Sequence, residues 1–241
     1  MPTIRFYPFS EQTMDFVPPP KPSVRLVPEW YKTQPGNKGD AEMIPQSGTA
    51  ASTIKRCMPI FDAMTAGYMI VAPCDIHLDA TNPEKLEWQI PLTLQSLKAD
   101  LFATHAPEQY ENYPIDPEKY HKQLFRILPT WAVGTDPGYS VLFTNPYHTD
   151  DSPLWAFTGL IDTDGFVSDG HVSFLVKKGF KGTIRQGTPL YQLIPFKREE
   201  WSSEVVDPAD AKTLFNSQRL NLRSTFMNGY KNKFRSKKEY R

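Results

Sequence analysis

Gly159-Leu160-Ile161-Asp162-Thr163-Asp164-Gly165 opens the stretch that decides the fold, and Ile184-Arg185-Gln186-Gly187-Thr188-Pro189-Leu190-Tyr191-Gln192-Leu193-Ile194-Pro195-Phe196 closes it. Between them, His171 to Val176 reads as a β-strand. The order is an acidic turn, a strand, a glycine turn at Gln186-Gly187, and a second apolar strand interrupted by one polar residue, Gln192. Asp favours turns because its side chain bonds nearby backbone groups. The stretch therefore reads as a β unit with an acidic edge.

Similar punctuation extends outward. Trp131–Val133 and Tyr139–Phe143 read as a hairpin around Asp136-Pro137-Gly138. Tyr68–Val71 and Cys74–Leu78 read as strands separated by Pro73, with Leu86–Ile90 pairing nearby. Asp116-Pro117 supplies a helix N-cap and a first-position proline, and Tyr120, Leu124 and Ile127 supply apolar positions, so Asp116–Ile127 is expected to be a short helix. Asp207-Pro208 repeats that signal and predicts a helix to about Leu220. Before residue 57, Pro18-Pro19-Pro20, Pro22 and Pro35-Gly36 break regular elements. Trp30 and Tyr31 are the expected anchors of this arm, and Gln46–Ser52 reads as a loop. The expected organisation is an extended Pro-rich arm over 1–56, a β domain over 57–200, and a helical, basic tail over 201–241.

Composition agrees with a mainly β chain. Of 241 residues, 39% are hydrophobic, enough to bury a core, and 23 are proline, which disfavours long helices. No apolar run approaches the roughly 18 residues of a membrane span. Met1-Pro2-Thr3-Ile4-Arg5-Phe6-Tyr7 lacks the charged-then-apolar order of a signal peptide, so a cytoplasmic location is expected. Cys57 and Cys74 lie among apolar residues outside any CxxC pair and read as small buried hydrophobes. Formal charge sums to zero but is divided. Residues 217–241 carry eight Lys or Arg against one acid, a net of +7, which leaves −7 on residues 1–216. Such a tail suits self-association, with the tail of one subunit on the body of the next, or a nucleic-acid contact through Lys231, Lys233 and Arg235.

The Gly159–Phe196 unit resembles the dUTPase-like, or β-clip, proteins, whose core is a distorted β-barrel. Gly159-Leu160-Ile161-Asp162-Thr163-Asp164 is similar to the first half of that family's Gly-Val-Ile-Asp-x-Asp-Tyr-x-Gly hairpin. The resemblance implies that Asp162 stands where the family has the water-activating aspartate, a general base. Asp164, Phe166, Gln192 and Tyr68 would lie beside substrate, with Gly165 in place of the family's tyrosine. Val167-Ser168-Asp169-Gly170 reads as a small insertion at the hairpin tip. Gly187-Thr188-Pro189-Leu190-Tyr191-Gln192-Leu193 resembles Gly-Asp-Arg-Ile-Ala-Gln-Leu, with Gln192 on the family's glutamine and without its Asp and Arg. Ala66-Gly67-Tyr68 resembles Ala-Gly-Tyr-Asp, with Met69 in place of the Asp. The phosphate-binding Arg-Ser-Ser segment should fall between Phe143 and Ala156, where the chain has no Arg or Lys and carries Asp150 and Asp151. A triphosphate needs fixed cations or a metal to offset its charge. Ile54-Lys55-Arg56-Cys57-Met58-Pro59 to Gly67-Tyr68 further resembles uncharacterised proteins of tailed phages.

Two function classes follow. One is a dUTPase-fold protein without pyrophosphatase activity, used in assembly or interaction as a phage-encoded virion component or regulator in the host cytoplasm. It needs no cofactor, and its partners are its own copies (a homotrimer by resemblance), other virion proteins, and nucleic acid through the tail, with no membrane. The alternative is a divergent nucleotide pyrophosphatase or deaminase-like enzyme using Asp162 and Mg²⁺. His148-Thr149-Asp150 fits the first part of a two-His-one-carboxylate iron site. The third ligand would have to be His171, only 23 residues on, which is too close for that architecture, so His148 reads as a loop residue and no metal is expected. His105 and His121, with Tyr110, Tyr113 and Tyr120, read as a surface aromatic patch without ligand spacing.

Overall fold

The computed structural model describes residues 1–37, 53–95, 101–149, 152–167, 172–223 and 229–241. The expected loop at Gln46–Ser52, the residues Asp150, Asp151 and His171, and Ser168-Asp169-Gly170 of the expected hairpin-tip insertion lie outside the described residues.

The protein is mainly β, and among the described residues every strand pair is antiparallel. In chain order the strands are β1 (Ile4–Pro8), β2 (Lys21–Pro22), β3 (Tyr68–Val71), β4 (Ile76–Asp79), β5 (Glu87–Gln89), β6 (Phe102–Thr104) and β7 (Phe125–Ile127). They continue with β8 (Trp131–Thr135), β9 (Tyr139–Thr144), β10 (Leu154–Ala156), β11 (Gly159–Ile161), β12 (Val172–Val176), β13 (Lys181–Ile184) and β14 (Pro189–Lys197). They form four sheets, ordered β1-β8, β10-β12-β7-β6, β11-β9-β14-β3-β2 and β13-β4-β5. Helices are short except for one: α1 (Glu11–Phe16), α2 (Glu29–Thr33), α3 (Met58–Thr65), α4 (Leu92–Gln95), α5 (Pro208–Arg223) and α6 (Gly229–Lys233). Among the described residues no helix is long and apolar enough to cross a membrane.

β14 organises the molecule because both its edges are paired. It pairs with β9 from Gln192 to Lys197 and with β3 from Pro189 to Leu193. Leu190 to Leu193 are all buried, so this segment reads as an apolar run rather than an alternating one. Tyr191 and Leu193 enter a core that also takes Ile70, Phe125, Val141, Phe174 and Val176, and so draws on two of the four sheets; Ile76 and Leu78 bring in a third, and Trp131 and Val133 the fourth. Cys74 lies in the same core, where burial pushes its thiol up to about 12. Cys57 is half-buried.

Three local expectations are corrected. The Asp116–Ile127 segment is not a helix. Asp116 does cap one turn, accepting from the N–H of Glu118, but Tyr120 then bridges to Lys177 and Phe125–Ile127 becomes β7 between β6 and β12. Phe125 and Ile127 both point into the core, and this period of two outweighs the helical spacing of Tyr120, Leu124 and Ile127. The strands around Asp136-Pro137-Gly138 exist but do not pair as a hairpin. β8 pairs with β1 of the N-terminal arm, and β9 pairs with β11 and β14. Asp136 accepts instead from the Thr3 N–H (2.8 Å) and from Arg5 Nη1 (2.7 Å), which holds β1 in register. The arm is accordingly less irregular than its prolines suggest. Strands β1 and β2 join sheets, Val17 enters the main core, and Tyr31 is buried with Val27 and Met64 in a second small core on α3.

Gly67 marks the tightest approach. Its φ is +64°, and a Cβ there would stand 1.8 Å from the Leu193 carbonyl oxygen of β14. Gly187 also has positive φ, +85°, but a Cβ there meets nothing within 4 Å. Gly67→Ala is expected to lower the unfolding free energy by about 3 kcal/mol or more, from backbone strain and a clash with main chain. Gly187→Ala should cost only about 1–2 kcal/mol of left-handed strain. Urea unfolding midpoints of the two variants measure the difference, and equal shifts would contradict the close approach at Gly67.

Candidate functional site

β11 delivers the acidic turn. After Ile161 the chain folds back, with the N–H groups of Gly165 and Phe166 both bonding the Asp162 carbonyl. Thr163 points inward and is buried, its hydroxyl 2.8 Å from that of Thr135. The two aspartates therefore flank a buried Thr163 on a fixed turn.

Arg198, one residue past β14, faces both. Asp164 binds it in a two-pronged ion pair, and Asp164 Oδ2 also accepts from the Gly138 N–H at 2.7 Å. The guanidinium, and next the Gly138 N–H, hold the Asp164 carboxyl far below the usual carboxylate range. Asp162 accepts from Ser140 Oγ at 2.6 Å and lies 3.3 Å from Arg198 Nη1. Its side chain is 73% exposed. This is a clamp joining the start of β9, the end of β14 and the turn after β11. Phe166 is exposed beside it, and Gly165 has room for a side chain, with its nearest neighbour 3.9 Å from a Cβ.

Gln192 lies elsewhere. Its amide is fully buried and donates to the carbonyls of Ala63 (2.8 Å) and Ala66 (2.7 Å) at the end of α3. Its oxygen accepts from the Tyr147 N–H at 3.2 Å. Met69, in place of the resembled family's Asp, sits opposite Gln192 in the sheet and is buried. Tyr68 packs edge-on to Phe6 and Tyr240 and donates to the Arg241 carbonyl at 2.9 Å. In the segment where cations were expected to be missing, Asn145 accepts from the Ala156 N–H and Thr149 donates to Pro146, so its described polar groups close a turn.

The arm and the tail meet on α3. Tyr31 stacks on Phe61 at 5.7 Å, with Lys55 Nζ 4.4 Å from the centre of the Tyr31 ring, and Trp30 donates to the His148 carbonyl. Arg235 grips Asp62 through Nε and Nη2, with both side chains less than 15% exposed, and this pair depresses the Asp62 carboxyl. Exposed surface pairs contribute about 0–1 kcal/mol. A largely enclosed, two-pronged pair is stronger and directional, so Arg235 is a tether for the tail. Lys231 and Lys233 remain on the exposed surface.

The sequence-derived site residues thus fall into three groups: Asp162, Asp164 and Phe166 at the Arg198 clamp; Gln192 and Tyr68 inside the fold; Trp30, Tyr31 and Arg235 around α3. Arg198, Ser140 and Asp62 were not singled out from sequence. Each lies tens of residues from its partner, and nothing local marks it. Among the described residues no group of three His, Cys, Asp or Glu is arranged to hold a metal ion. No protein-family model matches the chain, and no curated protein is significantly similar to it.

Two expected outcomes follow from the buried amide and the clamp. Gln192→Leu removes the bonds to the Ala63 and Ala66 carbonyls and to the Tyr147 N–H inside the protein, and should cost about 2–4 kcal/mol by chemical unfolding. The Asp164 carboxyl is depressed when folded, below the ordinary value near 3.9. Its ionised form therefore stabilises the fold above that ordinary value, and the contribution fades as pH falls through the depressed one. Asp164→Asn should melt below wild type at pH 7, with the gap closing between pH 4 and 2. A gap independent of pH would assign the loss to packing.

Proposed function

We propose that this is a non-catalytic assembly protein on a dUTPase-like β-clip body, and that it associates with further copies of itself through the segment ahead of its tail. The carrying observation is the exposure of residues 199–222. Trp201 is 87% exposed, Val205 and Val206 are exposed, and α5 shows Leu214, Phe215 and Leu222 to solvent. Ala211, Leu214, Phe215 and Leu222 share one face at helical spacing. Among the described elements α5 packs chiefly on α6, itself one of the shortest helices. An apolar stripe of this kind, rimmed by Lys212 and Arg219, marks an interaction surface. A second copy suits it because the body carries −7 against the +7 of residues 217–241. The resemblance to dUTPases favours three copies, and that to tailed-phage proteins favours a virion or regulatory setting.

The catalytic alternative draws on one feature, a cation beside Asp162. Against it, Arg198 is already bound to Asp164, and Asp162 lines neither the cavity of about 830 Å³ nor that of about 600 Å³.

Light scattering on the full chain is expected to give a multiple of the monomer mass, three chains being the favoured value. Leu214→Asp combined with Phe215→Asp should return it to monomer with an unchanged melting temperature. A monomer at every concentration would overturn self-association. Pyrophosphate release from dUTP or dCTP with Mg²⁺, lost in Asp162→Asn, would reverse the preference for a non-catalytic protein.

A further inference from the structure

The cavity of about 830 Å³ lies far in sequence from the Asp162 clamp, between the turn after β4, the 107–122 segment and the turn at Lys178-Gly179. Its size suits a small organic ligand or one side chain of a partner. Tyr110, Tyr113 and Tyr120 line it. Two of these rings are held in place. Tyr113 stacks on Phe157 at 4.7 Å, with 18° between the planes. The Tyr110 hydroxyl donates to the Lys122 carbonyl and accepts from the Leu124 N–H. Rings fixed before binding lose little freedom when a ligand arrives.

The charges in this cavity are unevenly engaged. Lys122 is paired with Glu84, and Lys178 donates to the Pro117 carbonyl at 2.9 Å. Glu108 and Glu111 line the same space and have no ion pair among the described residues. His121 contributes no free nitrogen: Nδ1 accepts from the Gln123 N–H, and Nε2 carries the hydrogen bonded to the Asn82 carbonyl. Lys178 has no carboxylate partner among the described residues, so the lining, with Glu84, Glu108 and Glu111 against Lys122 and Lys178, keeps a net charge of −1, and its apolar surface combines the three tyrosines with prolines and Ile115.

We propose that this cavity binds a guanidinium group, stacked on tyrosine and held by Glu108 and Glu111. A guanidinium is planar and weakly hydrated, and its N–H groups match carboxylates in pairs. Tyrosine faces attract such cations. The group could be carried by a free small molecule or by an arginine side chain of a polypeptide, and the chemistry of recognition is the same.

Titration calorimetry of the full chain with butylguanidinium, butylurea and the peptide acetyl-Ala-Arg-Ala-amide tests this. Saturable binding of at least one of the two guanidinium probes is expected, with butylurea, the neutral isostere, at least tenfold weaker. Glu108→Gln combined with Glu111→Gln should weaken the guanidinium probes by tenfold or more, and Tyr113→Ala by several-fold. The two Glu side chains are exposed, so the double variant is expected to keep the wild-type melting temperature. Tighter binding of the peptide would assign the site to a protein partner, and tighter binding of butylguanidinium to a free ligand. No saturable binding of either guanidinium probe, equal affinity for butylurea, or an unchanged double variant would overturn the proposal. None of these results depends on the oligomeric state.

Discussion

The Gln192 side chain is the contact on which the arrangement depends. It sits in the centre of the paired strand β14 with no exposure to solvent, and three main-chain groups from two other segments close on it. A buried amide must be satisfied, and leaving it unpaired costs more than the bond itself contributes. The end of α3 and the turn at Tyr147 can therefore take only a narrow range of positions relative to the sheet. Gly67 enforces the same closeness from the steric side, because only a residue without Cβ lets the chain pass the Leu193 carbonyl.

Once α3 is set there, it becomes the meeting place of both ends of the chain. Tyr31 packs on Phe61 from the arm, and Arg235 clasps Asp62 from the tail. The basic tail is thus tethered to its own acidic body at Asp62 and again at Tyr68, while the preceding residues 199–222 are largely exposed. This division explains why the charge asymmetry alone was ambiguous. Part of it is spent within the chain, and the rest is displayed beside an apolar stripe.

The acidic turn shows how a motif can be legible while its chemistry is not. Gly159–Asp164 forms a strand and turn as its residues suggest, and Gly187–Phe196 forms a glycine turn and a strand. What occupies Asp164 is Arg198, brought alongside by the β14–β9 pairing, and no local pattern encodes that meeting. The same holds for the tyrosine cavity, whose aromatic residues cluster in sequence but whose free and engaged charges are distinguished only by their partners. The 116–127 segment failed as a helix for a related reason. A cap signal governs one turn, whereas burial of Phe125 and Ile127 between two strands governs the rest.

By itself the sequence determined that the chain is mainly β, where most of its strands fall, that its tail opens with a capped helix, and that charge divides near residue 217. These properties are set by short-range periodicity, turn chemistry and composition, which act over a few residues. Tertiary structure alone decided that β8 pairs with the arm rather than with β9, that Gln192 is a structural brace, and that Arg198 pairs with the acidic turn. Those outcomes depend on which distant groups share one desolvated space, and burial, pairing and charge compensation are properties of that space rather than of any segment.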